Sequence, residues 1–458
     1  MTVTPRAYIE FHPKSYFKRI QLDGKFVGDL QIYDFGLRKQ IHINPDAYEI
    51  FDLLDKGMTV GATASQLAKS YGMRPEEIEQ TIIPLIQRFV DEKVAQVSST
   101  PPKRQGLVPE VLDFPYDYFV NAFSSELLSG CNLKCRHCYG SFDSADQHII
   151  SKETAIDILD QLRDLHCSDI SFTGGEVLLH PDFFDILRHA QKHNFKTSFL
   201  TNGTLLTQEI VQELKQIGYF ETQISLDADN PDVHDAFRGV PGAFDKAFAG
   251  AQMLRDAGFT LAIAFVLNQT NKQCLEAMET VAKELGALLK VGPILKYGNG
   301  AVNADPLYID HQNFYQIFHD VHKRNPGVEM EHANRELEVE DKVSKQPDYI
   351  PRCAAGKGKI ALKANGDIIP CEILPDRDIF RMGNIYQNSI RDISTSYDRD
   401  ALIGDLNALS LDQCSECSHV AICKGGCFAA SLAEYGKIDI LDPFTCIRTK
   451  VTHNEPWP

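Results

Sequence analysis

No stretch of this chain approaches the run of about 18 apolar residues that a membrane-spanning helix needs. The opening Met-Thr-Val-Thr-Pro-Arg has no apolar core of the kind a secretion signal carries. Positive charge is scarce as well: 46 Lys and Arg face 63 Asp and Glu, a formal net charge of −17. That balance speaks against nucleic acid, or an anionic membrane surface, as the main partner. These absences make a cytoplasmic location the expectation, and in that compartment thiols stay reduced. Twelve cysteines there point to metal rather than to disulfides. The remaining composition is ordinary, with 43% hydrophobic and 24% charged residues over 458 positions. Such a chain is long enough for several domains with a sizeable core.

Three of the cysteines, Cys131, Cys135 and Cys138, fall in Gly-Cys-Asn-Leu-Lys-Cys-Arg-His-Cys-Tyr, a C-x3-C-x2-C spacing. Three thiolates on one short loop can hold three irons of a [4Fe–4S] cube, which normally takes four cysteines. The fourth iron then stays open, as a catalytic metal site must. The competing reading is a zinc knuckle, closed by a further Cys or His. His137 is the available histidine, but it lies between two ligand cysteines and would strain a tetrahedral site. The spacing, followed by an aromatic residue, resembles the radical S-adenosylmethionine (SAM) enzymes, in which SAM occupies the open iron. His137 is placed with the cofactor-binding residues on that resemblance.

From about 124 to 294, short β-rich runs alternate with amphipathic helical runs. Ser125 to Gly130 reads as a strand entering the cysteine loop. Ser151 then caps a helix with Ile156, Leu159, Leu162 and Leu165 on one face. Later strands end in Gly174-Gly175-Glu176, in Thr201-Asn202-Gly203 and at Asp227, and two more follow near 261–267 and 289–294. Six βα units with right-handed crossovers predict an α/β fold, a partial (β/α)6 barrel. Every polar motif then lies at the C-terminal strand ends, where barrel sites are built. Gly174 and Gly175 let a backbone approach a ligand closely, and Glu176 offers an acceptor for an ammonium group. In the radical SAM family the matching Gly-Gly-Glu binds the amino group of SAM. Ser225 and Asp227, two apart on a strand, point to one face, and the resemblance directs them to the ribose. Arg238 resembles a family arginine that pairs with SAM's carboxylate. Asn202 either lines the pocket or serves the turn before Gly203. For each of these residues a polar strand end or a surface charge is the plain alternative.

The tail carries seven more cysteines: Cys353, Cys371, Cys414, Cys417, Cys423, Cys427 and Cys446. Their order is C-x12-G-x4-C, a gap, C-x2-C-x5-C-x3-C, a gap, and C, with Gly366 as the glycine. A zinc ribbon would explain four of them but not seven. The pattern resembles the SPASM domain of radical SAM enzymes, which holds two auxiliary [4Fe–4S] clusters. That resemblance implies three clusters in all. It assigns Cys414, Cys417, Cys423 and Cys446 to the distal auxiliary cluster, and Cys353, Cys371 and Cys427 to the nearer one. No eighth cysteine completes the nearer set, which leaves an open iron or a non-cysteine ligand. Glu372, directly after Cys371, matches a proposed catalytic base of sulfatase-maturing relatives; a solvated charge on a turn is the alternative. Cys167 and Cys274 read as small buried side chains.

Residues 1–98 read as a separate head, 99–118 as a linker, 119–325 as the barrel and 326–458 as the iron–sulfur tail. In the head, Phe26–Asp34 and Lys39–Ile43 read as paired strands. Helices over Pro45–Leu54, Ala62–Tyr71 and Pro75–Val90 follow, the last bent at Pro84. Strands followed by three helices predict a winged helix-turn-helix. Its 12 Lys and Arg against 13 Asp and Glu do not suit a DNA reader. The segment from Ile43 to Asp55 resembles the peptide-recognition element of ribosomal-peptide maturases, similar to the chaperone of pyrroloquinoline quinone synthesis. There a leader peptide adds as a strand to the wing sheet.

Taken together, the parts resemble a radical SAM/SPASM maturase of ribosomally made peptides, of the sactisynthase type. The resemblance implies hydrogen abstraction from a precursor peptide by a 5′-deoxyadenosyl radical, then a cysteine thioether. It also implies leader binding at the head and a flavodoxin- or ferredoxin-type electron donor. Carbon–carbon crosslinking, epimerisation and backbone excision suit the same architecture. A sulfatase-maturing enzyme and an iron–sulfur DNA-binding regulator are the other readings.

Overall fold

The computed structural model describes residues 2–457 except 12–14, 19, 23–24, 27–29, 35–38, 44, 92–93, 103–111, 115–119, 141, 143–147, 166, 194, 219–220, 331–351, 357, 376, 397, 399–402 and 404–406. Most of the expected 99–118 linker lies outside the described residues. Two compact units result, Met1–Tyr118 and Phe119–Pro458. Among the described residues no helix is long and apolar enough to cross a membrane.

In the first unit, strand Tyr8–Phe11 pairs antiparallel with Ala95–Ser98, closing the unit's two ends on each other. Strands Ser15–Lys18, Leu30–Asp34 and Lys39–Ile43 form an antiparallel sheet. Helices Pro45–Asp55, Val60–Tyr71 and Pro75–Asp91 follow. The middle helix starts where the Thr59 hydroxyl accepts the Ala62 N–H and ends on left-handed Gly72. Pro84 lies inside the third helix, which continues through it to Asp91. Ile78, Ile82, Ile86 and Phe89 recur every three or four residues and are buried. Phe51 joins the layers, 5.4 Å from Phe11 and 4.6 Å from Phe89 between ring centroids.

In the second unit, six strands lie side by side in chain order: Val120–Glu126, Asp169–Thr173, Lys196–Thr201, Glu221–Ser225, Thr260–Leu267 and Leu288–Pro293. All neighbouring pairs are parallel, the arrangement that intervening helices impose. Tail strand Gly358–Leu362 adds parallel to the outer side of Val120–Glu126, and Asp367–Ile369 and Gly383–Asn384 follow antiparallel. The outcome is an α/β sheet of mixed direction that carries the tail on its first edge.

Several local readings move by a few residues. The first strand ends at Glu126, four residues before Gly130 where the sequence placed its end. Leu128 lies beyond it in an isolated antiparallel bridge to Ile149, and its carbonyl accepts the Gly175 N–H at 2.9 Å. The fourth strand stops at Ser225, so Asp227 lies beyond it and the strict alternation of faces is lost. Ser151 caps helix Lys152–Asp164 as expected, and Leu159, Leu162 and Leu165 are buried as expected, joined by Ala155 and Ile158, while Ile156 is half-buried.

Candidate active site and iron–sulfur centres

A cavity of about 500 Å³ runs inside the parallel sheet. Cys131, Cys135 and Cys138 line it, and so do Ser124, Ser171 and Ser198. Those three serines are neighbours in register on adjacent strands. A row of hydroxyls in place of the usual branched apolar layer keeps the interior open and polar. The alternation of Asp-Ile-Ser-Phe-Thr and Lys-Thr-Ser-Phe-Leu carried that signal, with Ile170, Phe172, Thr197 and Phe199 turned into the surrounding core. Sequence reasoning did not use it.

The cysteine loop is fixed by backbone contact with the second strand's end. Glu176 N–H donates to Gly130 O at 2.9 Å. A Cβ on Gly175 would lie 2.0 Å from Gly130 O, and one on Gly174, at φ +134°, would lie 2.3 Å from Leu128 O. The two glycines therefore serve the loop's own packing as well as presenting backbone to the cavity they line. The Glu176 carboxylate is absent from the cavity wall. It is buried and accepts from Thr201 Oγ1 at 2.7 Å and Asn202 N at 2.8 Å, tying the second strand's end to the third. Burial raises its pKa, against the pull of those hydrogen bonds.

Asn202 lines the cavity and also holds its turn: its Oδ1 accepts the Thr204 N–H and its Nδ2 donates to Asn132 Oδ1 at 2.8 Å. Ser225 lines the cavity too. Asp227 does not; it is fully buried, accepting from Arg238 Nε at 2.6 Å and from Val266 N at 2.8 Å. Arg238 lines the cavity and directs Nη1 at Cys135 Sγ, 3.7 Å away. His137 is stacked on Phe237, centroids 4.3 Å apart and planes 8° from parallel. Burial, helped by the Arg238 charge, drops its pKa to about 3, so the ring is neutral. Glu372 also lines the cavity, 2.7 Å from Lys359 Nζ. Tyr139, Thr173, Thr201, Glu221, Thr222, Gln223, Thr260 and Lys290 add to the polar lining and were missed from sequence.

None of the ten motif cysteines, nor Cys167 or Cys274, forms a disulfide. The ten sort into apolar nests. Cys131, Cys135 and Cys138 pack with Leu133, Val240 and Ala243. Cys353, Cys371 and Cys427 pack with Leu374 and Phe428. Cys414 and Cys417 pack with Leu411 and Val420, and Cys423 and Cys446 are close enough to add their charge to the same group. Burial pushes Cys131, Cys427 and Cys446 up to about 12 and Cys414 to about 11. Bare thiols here are protonated, and a metal must displace those protons to bind. Arg352, fully buried, donates to Gly425 O at 2.9 Å and Ile440 O at 3.0 Å, next to both tail groups.

The donor chemistry fits polynuclear clusters. Among the described residues, only Asp160, His189 and His193 bring three ligand atoms within 4.8 Å of one another. That trio shares its carboxylate with Arg163, 2.8 Å away, as a surface ion-pair group. No cysteine triad converges so closely. Sulfurs around one zinc at 2.3 Å stand about 3.8 Å apart, whereas those around a four-iron cube are held apart by its corners.

Comparison with known proteins agrees with this geometry. Residues 125–281 match the radical SAM superfamily, 353–418 the SPASM iron–sulfur cluster-binding domain, and 32–94 coenzyme PQQ synthesis protein D (PqqD). The chain is a radical SAM enzyme of the SPASM type, with a PqqD domain at its head. More particularly, it is homologous to peptide maturases. It is 26% identical over 381 residues to the subtilosin biosynthesis protein AlbA of Bacillus subtilis, covering 80% of this chain and 79% of that one. It is 29% identical over 320 residues to the mycofactocin maturase MftC of Mycolicibacterium smegmatis, covering 69% and 80%. An AdoMet-dependent heme synthase of Methanosarcina barkeri is 28% identical over 338 residues, covering 70% and 95%. Streptococcus suis SuiB shares the fold at a TM-score of 0.62 and 15% identity, covering 95% and 99%. The head's match is to PqqD, and nothing in the comparisons describes it as a winged helix-turn-helix.

Proposed function

We propose that this enzyme modifies a ribosomally synthesised precursor peptide, forming a cysteine thioether at a carbon from which hydrogen has been abstracted. One observation carries the reading. The cavity lined by Cys131, Cys135 and Cys138 is lined as well by Glu372 and Ile373, which directly follow Cys371. A side chain seated there lies between the first cysteine group and the nearer tail group. The PqqD domain and the likeness to AlbA and MftC support a peptide as the occupant. The SuiB structure bound to its precursor peptide SuiA shares the fold.

In this reading, Cys131, Cys135 and Cys138 hold a [4Fe–4S] cluster with one open iron for SAM. Cys414, Cys417, Cys423 and Cys446 hold the distal auxiliary cluster, and Cys353, Cys371 and Cys427 the nearer one. When bound, the first cluster and SAM would supply hydrogen-abstracting radical chemistry, and the auxiliary clusters would supply an acceptor for the surplus electron. The chain's own residues position and exclude water. Gly174 and Gly175 offer backbone atoms to the SAM amino group, Ser225 a hydroxyl to the ribose, and His137 a flat neutral ring beside Phe237. Asn202 holds the strand end that frames them. Glu176 and Asp227 buttress this wall from behind it. Glu372, held 2.7 Å from Lys359 Nζ, accepts the proton of the peptide group that forms the bond. The head, as a winged-helix fold, receives the leader by strand addition. A flavodoxin- or ferredoxin-type protein delivers the electron in the cytoplasm.

The test uses short peptides encoded next to this enzyme, incubated without oxygen with reduced enzyme and SAM. Loss of two hydrogens per link, with the linked cysteine resistant to iodoacetamide, supports the thioether. Product with every cysteine still alkylatable refutes it, and formylglycine on a sulfatase peptide decides for sulfatase maturation.

A further inference from the structure

One arginine is built into the first cysteine group more tightly than cofactor binding requires. Arg238 ends helix Pro231–Arg238 and is 6% exposed. Asp227, 0% exposed, takes both its Nε and its Nη2, each at 2.6 Å. Asp227 is itself immobilised: Val266 N–H donates to its Oδ1 at 2.8 Å, and its own N–H donates to His234 Nδ1 at 3.1 Å. A guanidinium is a rigid planar fork. With two nitrogens docked on a fixed carboxylate, the direction of the third is fixed as well, and Nη1 points at Cys135 Sγ, 3.7 Å away.

The backbone holds the same register. Lys134 N–H donates to Arg238 O, and Arg136 N–H to Phe237 O, each at 3.0 Å, so the helix end is stapled to residues on both sides of Cys135. Gly239, at φ +76°, permits this approach, since a Cβ there would lie 2.4 Å from Lys134 O. Cys135 is 9% exposed, which leaves little room for water to screen the contact.

Hydrogen bonds to ligand sulfur, net charge and solvent exposure are the protein's means of setting an iron–sulfur potential. A cationic N–H aimed at a thiolate stabilises the reduced, more negative cluster over the oxidised one. Asp227 weakens the guanidinium's field, but it sits on the far side of the fork and leaves the N–H directed at sulfur intact.

We propose that Arg238, locked by Asp227, is a positioning residue that hydrogen-bonds the Cys135 sulfur and raises the reduction potential of the first cluster whether or not SAM is bound. This rests on the assignment of Cys131, Cys135 and Cys138 to a cluster, and differs from a role limited to the SAM carboxylate.

The test is an anaerobic redox titration of the full-length, cluster-loaded protein followed by electron paramagnetic resonance, without SAM. The first cluster is identified as the signal missing from Cys135→Ala, and the auxiliary signals serve as internal references. Arg238→Gln is expected to move the first midpoint to more negative potential and leave the auxiliary midpoints in place. Arg238→Lys, which keeps the charge but not the fork, is expected to shift it less in the same direction. An unchanged first midpoint in Arg238→Gln, with weakened SAM binding, overturns the proposal and leaves Arg238 to SAM alone. Should Arg238→Gln load less iron than the parent, Arg238→Lys decides, and an unchanged midpoint there overturns it equally. Wild-type protein without iron would instead refute the cluster assignment.

Discussion

Lys359 Nζ stands 2.7 Å from Glu372 Oε1, at the wall where the tail meets the barrel cavity. Burial disfavours the ammonium, but the charge and hydrogen bond of Glu372 outweigh it and hold Lys359 protonated. The carboxylate is thereby kept as an oriented acceptor next to the nearer cysteine group. Glu372→Gln keeps the shape and removes the base. It should lower turnover about 100-fold, the lower end of the range for a general base, with iron content and SAM affinity unchanged. Turnover within twofold of the parent would leave Glu372 a structural partner of Lys359.

Gly175→Ala tests the packing of the cysteine loop. Its Cβ would meet Gly130 O at 2.0 Å and Cys131 N at 2.9 Å, both backbone. Neither can yield without moving the loop, so a cost of about 1–3 kcal/mol is expected. The prediction is a lowered melting temperature and less iron in the first cluster after reconstitution, both measurable without substrate. The auxiliary clusters should load as in the parent.

Much of this was legible in sequence because backbone chemistry announces itself. Ser151 stands before a helix whose first free N–H groups it accepts, and glycines mark the strand ends. Periodicity located all six barrel strands and the three helices of the first unit. What was not legible depends on which atom reaches which partner. Glu176 and Asp227 sit where a ligand-binding reading puts them, yet their oxygens are taken by Thr201, Asn202, Arg238 and Val266. Those partners are 25 to 39 residues away for three of the four contacts, beyond any local pattern. Ser171 and Ser198 were visible but looked like ordinary strand residues until the register set them side by side.

His234 makes the stability of the second unit depend on pH. Its Nδ1 accepts the Asp227 N–H at 3.1 Å, which requires that nitrogen to be unprotonated. Burial, with help from the Arg238 charge and against the pull of Asp227, lowers its pKa to about 4. Above the unfolded value of about 6.5 both states are neutral and nothing is lost. As pH falls below that, the unfolded state takes up a proton the folded state refuses, so stability drops by up to about 1.4 kcal/mol per pH unit until roughly pH 4. Denaturant midpoints at pH 7 and pH 5 should therefore differ by more in the parent than in His234→Asn, whose Oδ1 can take the same N–H without titrating. Equal pH dependence in the two would remove His234 as the cause.

Cysteine substitutions separate ligands from packing. Cys446→Ala should lose about four of about twelve irons, one cube. Cys167, whose thiol donates to Asn121 O at 3.3 Å, fills a buried gap. Cys167→Ala should keep all its iron and lose only packing stability. Iron loss in Cys167→Ala, or none in Cys446→Ala, would redraw the ligand sets.

The most direct test is metal and turnover analysis of protein purified without oxygen. Ten ligating cysteines predict about twelve irons and as many sulfides per chain, with 5′-deoxyadenosine released from SAM under dithionite. About one zinc per chain, negligible iron and intact SAM would contradict it.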